Sequence, residues 1–127
     1  GPDGISASDL VAAAAARSDD LDRWLRSALV SDAAIAPASL QASDLDVTHH
    51  EGAPAFSAAV EGLAGRLEVL AELVDGADPS RWVAELPTES GGTTTPLEVL
   101  QHGVAALVSG ERRLTPLLRS VRGRRST

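Results

Sequence analysis

The chain has no cysteine, no methionine, no tyrosine and no lysine, and its only aromatic residues are Trp24, Phe56 and Trp82. Without cysteine there is no disulfide framework, no thiol nucleophile and no thiolate-held zinc or iron–sulfur centre. No apolar run approaches the roughly 18 residues that a membrane-spanning helix requires. The overall charge of −7 over 127 residues gives no global basic field for a nucleic acid. What remains is alanine-rich, arginine-using and acidic, of a length suited to one domain. Arginine as the sole strong base, together with abundant alanine, suggests a GC-rich, actinobacterial-type genome.

Charge is distributed unevenly. Residues 1–111 hold all 18 acids and five Arg, whereas residues 112–127 hold six Arg and no acid. The expected organisation is a remnant of tag removal or disordered leader at 1–5, a single helical domain at 6–121 and a basic flexible tail at 122–127. The tail offers at most weak contact with an anionic surface such as nucleic acid. Compartment is open between the cytoplasm and export after loss of a signal or anchor.

Three segments carry helical periodicity, and they predict an all-α fold, an antiparallel three- to four-helix bundle. The first helix is expected near 9–30, capped by Ser8, with Leu10, Ala14, Leu21, Leu25 and Ala28 on one stripe. The second lies near 54–75, opening at Pro54. Its apolar positions Phe56, Val60, Leu63, Leu67, Leu70 and Val74 step by four and three. A third runs near 95–121, where Thr95-Pro96-Leu97-Glu98 reads as a capping box with proline at the first helical position. Leu97, Leu100, Val104, Leu107, Leu114, Leu118 and Val121 form its expected core stripe, with a kink or restart near Pro116. Between the first two helices, residues 31–53 are too long for a simple hairpin loop and carry a short turn at Ser39–Ala42. A turn near Ser80–Glu85 and a Gly91-Gly92 linker precede the third helix, and no segment reads as a strand. The heptad-like stripes leave homodimerisation open.

Candidate chemistry is sparse. His49 and His50 stand beside Asp44, Asp46 and Glu51, the residue types of a zinc or nickel site. His102 is placed opposite the Leu100–Val104–Leu107 stripe, facing solvent or a partner. Two Arg-Trp pairs, Arg23–Trp24 and Arg81–Trp82, are candidate anchors for a protein partner, since both residue types are enriched at binding hot spots. No nucleophile elbow or phosphate loop is present. These features lean away from an enzyme and from a cofactor, and towards a non-enzymatic module that binds a protein or another macromolecule.

Residues 63–113 nevertheless resemble the DinB-like superfamily, which includes mycothiol-dependent maleylpyruvate isomerases. The resemblance rests on Asp78-Pro79-Ser80-Arg81-Trp82, the loop to Gly92, and Thr95-Pro96-Leu97-Glu98-Val99-Leu100-Gln101-His102. It implies a helical bundle, His102 as a first metal ligand with His49 or His50 beside it, and a metal- or thiol-linked transferase activity. A third expectation is a bundle whose interior holds a small apolar ligand.

Overall fold

The computed structural model describes residues 5–48 and 55–125. They are mostly helical, with three long helices and one small two-stranded sheet. Helix α1 spans Ala7–Ala28, α2 spans Phe56–Gly76 and α3 spans Pro96–Arg125; strands β1 (Leu86–Pro87) and β2 (Thr93–Thr94) pair antiparallel just before α3. The expectation about residues 1–5 falls on the described chain only at Ile5. His49, His50, Pro54 and the last two tail residues lie outside the described residues.

Local chemistry explains the helix starts, with two shifts from the sequence reading. The cap of α1 is Ser6 rather than Ser8: its hydroxyl accepts from the Asp9 amide while the Asp9 carboxylate accepts from the Ser6 amide. This reciprocal pairing satisfies two orphan donors, and it starts the helix where a carboxylate can lie in the first turn. At α3, Thr95 accepts from the Glu98 amide as expected, but the Glu98 carboxylate takes the Thr94 hydroxyl instead of closing the box. Pro116 does not end α3. The helix continues to Arg125, into the segment expected to be a tail, with the Thr115 hydroxyl donating to the Glu111 carbonyl one turn back.

All five expected core residues of α1 are buried, and α1 is the axis of the fold. Its Ser18–Asp22 stretch lies beside Glu61–Val69 of α2, and its Arg26–Val30 end lies beside Glu72–Asp78. Hence α1 and α2 run in the same direction, contrary to the all-antiparallel expectation. Against α3 the order reverses: Leu21 sits over Gly103, and Ala14 clusters with Ala106. Parallel neighbours need a connection as long as the helix itself, about 33 Å for 22 residues. That is the physical reason for the long 31–53 connection. Its described part holds one short helical turn, Ala38–Leu40, rather than a fourth helix.

The crossover is tied down along its length. The Arg17 guanidinium, 9% exposed, donates to the carbonyls of Leu40 at 3.1 Å and Ala42 at 2.7 Å. Burial lowers the Arg17 pKa from its ordinary value, while Asp20 pulls the other way. At the far end of α1, Arg81 donates to the carbonyls of Ala28 and Leu29 and pairs with Asp32 at 2.8 Å. A cation there closes carbonyls that the helix end leaves without partners and complements the helix dipole. The segment read as a Gly91-Gly92 linker is instead the β1–β2 turn, where Gly91 takes φ +92°, a conformation that favours glycine. Ala36 bridges to this hairpin through Thr88, so the crossover is held at both ends of its first half.

The core is uneven. One cluster joins Leu21, Trp24, Leu25, Ala28 and Leu29 of the α1 end to Ala36, Leu40, Leu70, Leu86 and Val99. The second, around the first half of α1, has Ala14, Leu45 and Ala106 as its buried members among the described residues.

Candidate functional site

The second and third helices do not bury the stripes their periodicity suggests. In α2 the fully buried residues are Ala59 and Leu70; Leu63 is half-buried, while Val60 and Leu67 are 41% and 36% exposed. In α3 the buried line is Val99, Gly103, Ala106 and Gly110, and Leu97 and Val104 are 39% and 51% exposed. Helix α3 has thus turned its small residues towards α1, whereas α2 buries one small and one large residue. The reason is distance: a Cβ on Gly103 would lie 2.8 Å from Leu21 Cδ2, and one on Gly110 would lie 2.6 Å from Leu45 Cδ1. Leu21 and Leu45 fill the space that the glycines leave, so the large residues of α3 are displaced to its flank.

Both α2 and α3 pack closely along α1, whereas their own backbones stay apart from each other over most of their described length. Between them lies an apolar groove of about 250 Å³. Leu10, Val11, Ala14 and Leu45 make its floor; Leu63 and Leu67 form one wall, and Leu107, Gly110 and Leu114 form the other with Glu111 at the rim. Val60 on α2 and Val104 and Val108 on α3 extend the exposed apolar surface beyond it. Charge is unevenly placed on the two helices, and all six Arg of α3 follow Glu111. Helix α2 carries Glu61, Glu68, Glu72 and Asp75 against the single Arg66, whereas α3 carries six Arg against Glu98 and Glu111.

No family model, no curated protein and no solved structure matches this chain.

The sequence-nominated residues fall elsewhere. His102 is half-buried rather than turned away from the body, and its Nδ1 lies 3.1 Å from the Ser43 hydroxyl. Its position follows from the rotation of α3: with Val99 and Gly103 facing α1, His102 comes to the crossover side. Asp44, next to Ser43, accepts from the Ser109 hydroxyl, and Leu45 follows over Gly110. This row of contacts pins the crossover to α3. Among the described residues, no three His, Cys, Asp or Glu side chains gather as a metal site.

The Arg-Trp pairs also serve inside the molecule. Trp24 is buried, and its indole N–H donates to the Ile35 carbonyl at 3.0 Å; Trp82 packs half-buried against the same cluster. Arg81 closes the end of α1, and Arg23 pairs with Asp19 on an exposed face. Sequence reasoning missed Leu63, Leu67, Val104, Leu107 and Leu114 as site residues because it assigned them to the core. The sequence carried no signal for this, because a stripe at helical spacing does not show what lies across from it.

Among the described residues, no helix is long and apolar enough to cross a membrane.

Proposed function

We propose that this protein is an interaction module, and that the α2–α3 groove receives a helical protein partner. In this reading the three long helices are an incomplete bundle, and the partner supplies the missing fourth side. The observation that carries it is the separation of the α2 and α3 backbones over a groove lined almost wholly by aliphatic side chains. An amphipathic helix laid in such a groove buries its own apolar face and covers Leu63, Leu67, Leu107 and Leu114 together. Flanking charge then selects orientation and register more than it adds affinity.

A test is site-specific photo-cross-linking in cells that make the protein. Benzoylphenylalanine placed at Val104 should give discrete adducts heavier than the chain, and the same group at exposed Arg23, outside the groove, should not. Equal yields from both positions, or none from Val104, would contradict the reading.

A second reading is favoured by the volume and lining of the groove: a small apolar ligand. At about 250 Å³ the groove lies just below the usual range for small-molecule pockets. Adducts confined to the mass of the chain plus a small molecule, seen by intact-mass spectrometry, would support that alternative.

A further inference from the structure

We infer that residues 43–47 of the crossover form a latched strap, which swings off α3 while the three helices stay packed and takes Leu45 out of its slot over Gly110. The effect of this opening on binding rests on the α2–α3 groove being an interaction surface; the opening itself does not.

The two halves of the crossover are held by different means. Up to Ala42 the attachments are backbone hydrogen bonds and a buried cation. The Ala36 amide donates to the Pro87 carbonyl at 2.9 Å, and the Ala36 carbonyl accepts from the Glu89 amide at 3.0 Å. Arg17 then holds the carbonyls of Leu40 and Ala42. Beyond Ala42, among the described residues, no backbone-to-backbone hydrogen bond joins Ser43–Val47 to a helix. The holdfasts there are side chains: Ser43 on His102, Asp44 on Ser109, and Arg113 at 3.5 Å from the Leu45 carbonyl. The first two are exposed, and such bonds exchange with water at little net cost. Ala42 is therefore the hinge.

The strap has one buried anchor. Leu45 is buried and Val47 is half-buried, whereas Ser43, Asp44 and Asp46 are exposed. What lies under Leu45 is small, namely Ala14, Ala106 and the bare backbone of Gly110. Lifting Leu45 uncovers little apolar surface on these helices. The contact of α1 with α3 persists through Leu21 over Gly103 and through Val99 in the larger cluster. A segment with few buried apolar contacts and surface hydrogen bonds opens well below the free energy of global unfolding.

Leu45 is also part of the groove floor. When the strap lifts, the groove deepens towards Ala14 and Ala106, and an apolar side chain of a bound helix takes the place of Leu45. The strap is thus an internal competitor, and a partner that displaces it favours the open form.

Thiol labelling tests this, because the chain has no cysteine of its own. Leu45→Cys puts the thiol on the strap; Ala14→Cys keeps Leu45 in place and puts the thiol beneath it. Without urea, each should react with an aromatic disulfide reagent about a hundredfold faster than Leu25→Cys. Their rates should stay nearly flat over urea concentrations that steeply accelerate Leu25→Cys, since a local opening exposes little surface. Adding Ser43→Ala/Asp44→Ala should raise the Ala14→Cys rate about tenfold with circular dichroism unchanged, and Asp46→Ala should not. With benzoylphenylalanine at Val104, the same latch variant should raise the yield of adducts.

Ala14→Cys labelling that tracks Leu25→Cys at every urea concentration overturns the inference, and so does a rate that the latch variant leaves unmoved. Rapid, latch-dependent labelling without adducts from Val104 would leave the strap standing and remove the groove reading. Adducts whose yield ignores the latch variant would overturn the competition between strap and partner.

Discussion

The two halves of α1 meet different surroundings. Around its last two turns the packing is closed: ten buried residues converge, Trp24 spends its polar atom on Ile35, and Arg81 covers the terminal carbonyls. Around its first half, three of the described residues form a buried cluster, and beside them the space between α2 and α3 is open. The same helices line both regions, so periodicity alone does not separate them. What differs is what lies across from each stripe. Near the end of α1, the crossover, the hairpin and the turn at Pro79–Val83 add a further layer; near its start, the described crossover covers one side only. A closed region measures what holds the fold, and an open one measures what the fold presents.

Substitutions placed in the two regions should separate folding from binding. Leu25 is fully buried, and Leu25→Ala should cost about 2–5 kcal/mol through lost transfer energy and a cavity. In urea melts at low protein concentration, Leu67→Ala in the groove wall should cost less than about 1 kcal/mol. Comparable losses at both positions would remove the distinction.

The two glycines of α3 offer a finer contrast. Gly103→Ala pushes into Leu21, itself enclosed by the large cluster, and should cost about 1–3 kcal/mol through overpacking. Gly110→Ala pushes into Leu45, which borders the groove and has room to turn. There the helix propensity gained, about 1 kcal/mol, offsets the displacement and leaves stability nearly unchanged. The difference between their denaturation midpoints is the quantity to compare.

The smallest effect concerns acid. Asp78 caps the turn before the hairpin by accepting from the Ser80 amide and hydroxyl. Its pKa is lowered from the ordinary 3.8, chiefly by the backbone hydrogen bond, so its stabilisation is present above that value. It is lost as pH falls through the lower folded value. Asp78→Ala should therefore be slightly less stable than wild type at pH 7, with the gap closing in acid as the Asp78 carboxylate takes up its proton. A gap that persists in strong acid would assign the effect to something other than the carboxylate.

How much of this was legible depends on whether the signal is local. Helix positions, the Thr95 cap and the α1 core stripe follow from spacing and short-range hydrogen bonding, and the sequence displays them. The Ser6 cap was missed by two residues because Ser6 and Ser8 are both competent caps, and the reach of Asp9 decides between them. The shared direction of α1 and α2 depends on the path of the crossover, where Arg17 holds two carbonyls more than twenty residues away. The groove was hidden for a related reason. A leucine stripe looks the same whether a helix or solvent faces it, and only the choice of Gly103 and Gly110 as the contact line of α3 turned Val104 outward. Trp24 and Arg81 resembled binding anchors because hot spots and cores favour the same chemistry. Their hydrogen bonds to Ile35 and to the end of α1 place them in the second role.

The most direct test of the central claim is the urea midpoint of Val104→Asp set beside that of the wild-type chain. If the α2–α3 groove and its margin are open surface rather than core, an aspartate at this half-exposed position leaves stability within about 1 kcal/mol of wild type. A loss as large as that of Leu25→Ala would contradict the account.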